Sequence, residues 1–186
     1  RLWSVPSGKP VRTLEAPPGK WKHVQFSPNG KLLMLASGTG ETPGYDVVGL
    51  WRVSDGKAVN GFDGMIRSNS SGPGQSVVPP IAFSPDSGML AWDAGSGQIR
   101  VFRVTDGVLR YTLETSAGCA GNVEFSPDGL VIAVADQQSV RIHRASDGRF
   151  LRELRVRETQ GPDLVFSPDS KTLVVADTDI ALWRVQ

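Results

Sequence analysis

The chain has 186 residues, of which 39% are hydrophobic and 21% charged, so it can bury a core and is not disordered by composition. Twenty basic and nineteen acidic residues leave a net charge of +1, which gives no electrostatic reason to expect nucleic acid as a partner. No apolar run approaches the ~20 residues of a membrane span, and the single Cys119 excludes an internal disulfide.

The first predicted elements are two short strands, at Leu2–Val5 and Val11–Leu14, on either side of a Ser-Gly pair. Next comes the four-residue pattern Phe-Ser-Pro-Asn at Phe26, which recurs as Phe-Ser-Pro-Asp three more times. The spacings between the four copies are 57, 42 and 41 residues. The four copies begin at Phe26, Phe83, Phe125 and Phe166. Repetition at such a period predicts stacked supersecondary units rather than one irregular domain.

Two further landmarks keep the same order along the chain. The first is a strand ending centred on an aromatic residue or a histidine, at Trp3, Trp51, Phe102, His143 and Trp183. The second is an Asp-Gly pair at Asp55, Asp106 and Asp147, which is typical of a tight hairpin turn. A more polar strand follows each pair, as in Val108–Leu113, and polar strands suit the outer edge of a sheet.

An apolar run follows every Phe-Ser-Pro turn and is apolar on both faces of the pleat, so we expect each run to be covered on both sides. One face carries large side chains and the other face carries alanine, which predicts sheets stacked large side against small. The large residues are Leu35, Trp92, Val134 and Val175, and the alanines are Ala36, Ala135 and Ala176.

These registered motifs resemble the WD40, or Trp-Asp repeat, family of bacterial type. The resemblance covers nearly the whole chain and implies an all-β β-propeller of four-stranded antiparallel blades, in which each Phe-Ser-Pro turn joins the innermost strand to the second. The family's Gly-His pair is missing from every copy, and the Asp of Trp-Asp is replaced throughout. Its buried polar network is therefore not expected in most blades, and Asp177 is the best match that survives.

The repeats predict a blade end at 1–14, full blades at 21–62, 80–114 and 121–155, and a last partial blade at 163–186. About four to four and a half blades are thus expected, as a fragment of a six- to eight-bladed ring. The alternative is a four-bladed ring closed by Val11–Leu14. The fragment would expose blade edges, through which we expect self-association.

Few residues are candidates for catalysis, metal binding or anion binding. His143 occupies a packing position and His23 begins an inner strand; with Cys119 they show neither a catalytic grouping nor metal-ligand spacing. Asp93 stands where other copies have alanine, so it needs a buried partner or lies at the rim of the sheet. Four arginines, Arg52, Arg103, Arg144 and Arg184, offer an anion-binding row, although local pairing with the Asp three residues later is favoured for the first three.

Two connections are much longer than the others, at Ser37–Asp46 and Asp63–Pro80, and both fall on the propeller face opposite the short turns. Long loops on a rigid scaffold often carry recognition. The predicted partner-binding residues are Tyr45, Met65, Ile66 and Arg67, joined by Lys20, Trp21 and Lys22 at the start of the same blade. A tolerated insertion without a role is the alternative.

The pattern therefore favours a non-catalytic scaffold that binds a protein partner, without cofactor, metal, nucleic acid or membrane insertion. Two alternatives stay open: a regulatory propeller of a larger bacterial protein such as a kinase fusion, and a propeller hydrolase. A cytoplasmic location is favoured.

Overall fold

The repeated turns and hairpins fold into sixteen short strands and no helix among the residues that the structure describes. The computed structural model describes residues 1–16, 21–37, 47–59, 80–93, 97–115, 120–156, 162–176 and 180–185. The strands are β1 Leu2–Trp3, β2 Pro10–Arg12, β3 Trp21–Phe26, β4 Leu32–Ser37, β5 Val47–Arg52, β6 Ile81–Phe83, β7 Met89–Asp93, β8 Gln98–Arg103, β9 Leu109–Glu114, β10 Asn122–Phe125, β11 Val131–Ala135, β12 Ser139–Arg144, β13 Phe150–Arg155, β14 Asp163–Phe166, β15 Thr172–Ala176 and β16 Ile180–Arg184.

These strands form five antiparallel sheets, numbered here in chain order, and each sheet pairs its strands in sequence order. Sheet 1 is β1-β2, sheet 2 is β3-β4-β5, sheet 3 is β6-β7-β8-β9, sheet 4 is β10-β11-β12-β13 and sheet 5 is β14-β15-β16. Sheets 3 and 4 thus show the predicted four strands per blade. In sheet 2 an isolated bridge from Trp51 to Ala58 begins the fourth position, and residues 60–62 of that unit lie outside the described residues.

The Phe-Ser-Pro pattern makes the turn between the first and second strand, as predicted. In sheet 3, the Ser84 hydroxyl donates to Asp86 Oδ1 at 2.5 Å and accepts the Met89 amide at 2.8 Å. The Asp86 carboxylate in turn accepts the Gly88 amide at 2.9 Å. The Ser84 and Gly88 donors hold the pKa of Asp86 below its usual value of 3.8. The turn therefore needs Ser and, two residues later, an Asp or Asn side-chain oxygen, which explains why the pattern recurs.

The sheets pack face to face, large side chains against small, as expected. Between sheets 2 and 3, Trp92 and Phe83 lie in one buried cluster with Ala36, Val48 and Leu50. The same stacking buries the other interfaces. Between sheets 3 and 4, Val134 and Phe125 pack with Ala91 and Val101. Between sheets 4 and 5, Val175 and Phe166 pack with Ala135 and Ile142. Between sheets 1 and 2, Leu33 and Trp51 pack with Leu2 of β1 and with Leu14, which follows β2. Because sheets 2 to 4 each have a neighbouring sheet on both sides, the residues 33–36, 90–93 and 132–135 on their second strands are buried on both faces.

Two outer faces lack this cover within the described residues. Ile180 and Leu182 on β16 are 72% and 70% exposed, whereas their equivalents in sheets 2 to 4 are exposed by at most 1%. Val24 and Phe26 on β3 are likewise 61% and 52% exposed. Self-association through these surfaces stays a prediction. The four-bladed ring closed by Val11–Leu14 is not observed, because β2 pairs with β1 rather than with β16.

Candidate functional site

The predicted partner-binding residues fall mostly outside the described part of the chain. Lys20, Tyr45, Met65, Ile66 and Arg67 all do so. Of Lys22 only the backbone position in β3 is described.

Trp21 is the one predicted contact residue whose side chain is described, and it is partly buried. Its ring lies edge-on to Trp51, with centroids 5.6 Å apart and an interplanar angle of 79°. It also packs against the cluster of Leu33, Leu35 and Trp51 between sheets 1 and 2. Trp21 therefore helps to hold the start of β3 in place, and only part of its surface is open to a partner.

The strand directions fix where the two long connections attach. Strand β4 runs away from the Phe-Ser-Pro turn, and β5 runs back towards the Asp-Gly hairpin. Pro80 precedes β6, which runs towards its own Phe-Ser-Pro turn. Ser37 and Val47, next to the first connection, and Pro80, at the end of the second, therefore lie at the edge of the sheets opposite the turns.

The short turns share the other edge, where backbone hydrogen bonds tie each hairpin to the turn of the same sheet. The amide of Val53 donates to the Lys31 carbonyl at 2.9 Å, and Val104 donates to Gly88 at 2.9 Å. Sheet 4 repeats the bond from Ala145 to the Leu130 carbonyl at 2.9 Å, and Val185 repeats it in sheet 5. We call this edge the turn face.

Hydroxyl groups also join turns of neighbouring sheets on the turn face. The amide of Asn29 donates to Ser87 Oγ at 3.1 Å, and the amide of Asp128 donates to Ser170 Oγ at 3.0 Å. Both serines have the positive φ that favours glycine, 64° and 62°. Ser87 and Ser170 thus adopt a backbone conformation that is strained for serine, and their hydroxyl groups accept hydrogen bonds from the turn of the adjacent sheet.

The first three arginines of the row on the turn face pair with the Asp three residues later, which is the arrangement that the sequence favoured over an anion-binding row. Arg52 Nε lies 3.0 Å from Asp55 Oδ2, and Arg103 Nε lies 2.9 Å from Asp106. The pair of Arg144 and Asp147 is 3.3 Å apart. Each pair closes across its own hairpin, and the side chains are too exposed for the pairs to stabilise the fold much.

The two histidines lie in different sheets, His23 on β3 of sheet 2 and His143 on β12 of sheet 4. His143 is 6% exposed, in agreement with a packing role, and its Nδ1 lies 3.0 Å from the Gly148 carbonyl oxygen. Burial lowers the pKa of His143, against the opposing effect of that hydrogen bond. Asp93 is 1% exposed, which agrees with the first of the two predicted alternatives, a buried residue with a partner, and not with a position at the rim. Within the described ranges, no group of three or more His, Cys, Asp or Glu side chains could hold a metal ion.

The first strands carry polar side chains that sequence analysis passed over. Asn122 Nδ2 donates to Asp163 Oδ1 at 3.2 Å, across sheets 4 and 5. Glu124 accepts the Phe166 amide at 3.5 Å, and burial raises the pKa of Glu124. These contacts link two neighbouring first strands and account for the polar residues structurally.

The described part of the chain holds no helix long and apolar enough to cross a membrane.

A groove of about 690 Å³ opens on the turn face between sheets 2 and 3. Its walls include Lys31, Val53 and Val59 from sheet 2 and Val104 and Thr105 from sheet 3. This groove was not predicted from the sequence. The available signal was the residue four places after the hairpin Asp, which is Val59 here but Arg110 and Leu151 in the next two units.

No family model matches the sequence. The chain is 28% identical over 127 residues to the WD repeat-containing protein VIP3 of Arabidopsis thaliana, a match that covers 68% of this chain and 39% of that protein. Among solved structures, KlHsv2 with loop 6CD replaced by a Gly-Ser linker matches 98% of this chain and 56% of that chain, with a TM-score of 0.75 and 16% identity. The chain therefore spans well under two thirds of either protein. Together with the blade-like sheets, these likenesses support a partial β-propeller built from repeats similar to those of WD repeat proteins.

Proposed function

We propose that the chain is a non-catalytic protein-interaction domain whose stacked sheets present two long connections, Ser37–Asp46 and Asp63–Pro80, to a protein partner. The observation that carries the proposal is the difference between the two edges of the sheets. On the turn face the described connections are short and held by repeated hydrogen bonds. The described ends Ser37, Val47 and Pro80 lie at the opposite edge, and we infer that both long connections lie there too, since loops on a rigid scaffold often carry recognition.

The rigidity that a scaffold requires comes from packing between sheets. Strand β4 has Met34 fully buried and Leu33 and Ala36 nearly so, and Leu50 and Trp51 on the neighbouring β5 are equally inaccessible. Burying side chains of this size contributes about 1.5–3 kcal/mol each relative to leaving them exposed. Sheet 2, which carries the first connection and precedes the second, is therefore anchored between its neighbours.

Within this proposal, Tyr45 and the apolar pair Met65 and Ile66 serve as buried anchors in the interface, and Arg67 supplies a charged donor. Aromatic and arginine side chains dominate the energetics of many protein interfaces. Lys20 and Lys22 add positive charge close to the start of β3, which favours an acidic surface on the partner.

The test is to replace residues 63–79 with a linker as short as the connection between β9 and β10, which the same fold already tolerates. The shortened protein and the intact protein are compared for partner binding, with circular dichroism as the check on folding. Thr112→Glu, on the exposed outer strand β9, is the matched control and leaves binding unchanged. Equal binding by the shortened and intact proteins overturns the proposal.

A further inference from the structure

The groove between sheets 2 and 3 has two counterparts in the same molecule, and these counterparts indicate what it accepts. Between sheets 3 and 4, the Tyr111 hydroxyl reaches across and donates to the Ala145 carbonyl. Between sheets 4 and 5, the Arg152 guanidinium donates to the Val185 carbonyl. In both cases a long side chain on the fourth strand of one sheet lies over the next sheet. It donates to the carbonyl of the residue that follows the third strand of that next sheet.

The carbonyl equivalent to Ala145 in sheet 3 belongs to Val104, which lines the groove. Both residues stand two places before the hairpin Asp, and both donate their amide to the preceding turn. The residue equivalent to Tyr111 in the first unit is Asn60, which has a shorter side chain and lies outside the described residues. Among the described residues, no donor to the Val104 carbonyl is found.

The groove walls suit an aromatic ring. Val53, Val59 and Val104 supply apolar surface, and the nine-tenths buried state of Val59 and Val104 shows that they are packed and preformed. A volume of about 690 Å³ lies within the 300–1,000 Å³ of typical ligand pockets. An apolar wall with a few polar groups is the usual composition of such a site.

The charge around the groove indicates which of the two side chains seen in the counterpart contacts, tyrosine or arginine, the groove would accept. Two cations, Lys31 and Arg52, line it. Arg52 is paired with Asp55, whereas the exposed Lys31 forms no ion pair within the described residues. A positive rim disfavours an incoming guanidinium and favours a neutral phenol with a carboxylate beside it.

We propose that the groove binds a tyrosine side chain from an acidic segment of a partner protein. The phenol hydroxyl donates to the Val104 carbonyl, as Tyr111 does to Ala145, the ring packs on Val53 and Val59, and a neighbouring Asp or Glu pairs with Lys31. This site lies on the turn face, so it is separate from the long connections at the opposite edge and does not depend on them.

The test uses defined small probes, N-acetyl-tyrosinamide and the capped dipeptide of aspartate and tyrosine, titrated into isotope-labelled protein while NMR records the valine methyl resonances. Saturable shifts of the Val53, Val59 and Val104 methyls are expected. The acidic probe binds about two- to fivefold more tightly than tyrosinamide at low salt, which is the range of an exposed ion pair.

Two variants separate the proposal from non-specific binding. Thr105→Trp enlarges an exposed residue of the groove wall without changing the core beneath it, so the larger side chain fills the groove and weakens both probes at least tenfold. Lys31→Glu removes the preference for the acidic probe, whereas Lys171→Glu, at the equivalent turn position of sheet 5, leaves it intact.

Shifts scattered over the surface, or unchanged affinity in a folded Thr105→Trp variant, overturn the proposal. A preference for the acidic probe that Lys31→Glu and Lys171→Glu reduce equally overturns the role of Lys31. Because shortening residues 63–79 is expected to leave probe binding unchanged, failure at this groove is distinguishable from failure at the opposite edge.

Discussion

The contact between Gly148 and Tyr111 predicts a specific cost for adding one methyl group. Gly148 has a φ of +75°, and a Cβ built on it would lie 2.5 Å from Tyr111 Cδ2 and 2.9 Å from Tyr111 Cγ. The positive φ costs an alanine about 1 kcal/mol relative to glycine. Overpacking against a partly buried ring adds about 1–3 kcal/mol. Gly148→Ala is therefore expected to lower the free energy of unfolding by about 2–4 kcal/mol.

Gly30 provides the matched control, since it has a φ of +69° and no atom within 4 Å of the added Cβ. Gly30→Ala should cost only the backbone part, about 1 kcal/mol. Urea denaturation of both variants measures the difference, with the slope of the transition as the check that the unfolded state is unchanged.

A double-mutant cycle isolates the steric part. In a Tyr111→Ala background, the cost of Gly148→Ala should fall to about 1 kcal/mol, because the ring that the methyl group meets is gone. Equal costs for Gly148→Ala and Gly30→Ala would refute the reasoning, since they would show that Tyr111 does not lie against the hairpin of the next sheet.

Two further predictions follow from buried polar groups. Burial lowers the pKa of His143 below its usual 6.5, so the unfolded chain binds a proton first as the pH falls, and stability declines below about pH 6.5. His143→Phe, which carries the side chain of Phe102 at the equivalent position, should show a shallower decline between pH 7 and pH 5; equal slopes would contradict this. Ser170→Ala removes the acceptor for the Asp128 amide and should cost about 1 kcal/mol in urea denaturation. Ser170→Gly should cost less because it relieves the positive φ, and an equal or larger loss would argue against strain at that residue.

Local patterns in the sequence predicted most of the fold, because the blade is built from short-range chemistry. A Ser with an Asp or Asn two residues later closes each Phe-Ser-Pro turn, and an Asp-Gly pair closes the hairpins of sheets 2 to 4, so both are visible in sequence. The pairing of Arg103 with Asp106 was predicted for the same reason, since the two residues are three positions apart across one hairpin. The burial of His143 followed from its register with Trp51.

Features that depend on how one sheet meets the next were not predictable in this way. The sequence did not decide between a buried position and a rim position for Asp93, because its burial depends on neighbours in space rather than in sequence. The groove beside Val59 arises from the shape of two sheets together, so the change from Val59 to Arg110 and Leu151 at one register position does not by itself reveal it. The use of Ser87 to hold the turn of the preceding sheet is also a contact across 58 positions.

The most direct test of the central claim is the dissociation constant of the intact protein for its partner, measured beside that of the protein with residues 63–79 shortened. The account predicts that shortening weakens binding at least tenfold, equivalent to the loss of about 1.4 kcal/mol or more, while the circular dichroism spectrum and Thr112→Glu binding stay unchanged. Equal dissociation constants for the intact and shortened proteins, both folded, would contradict the claim that the long connections form the interaction surface.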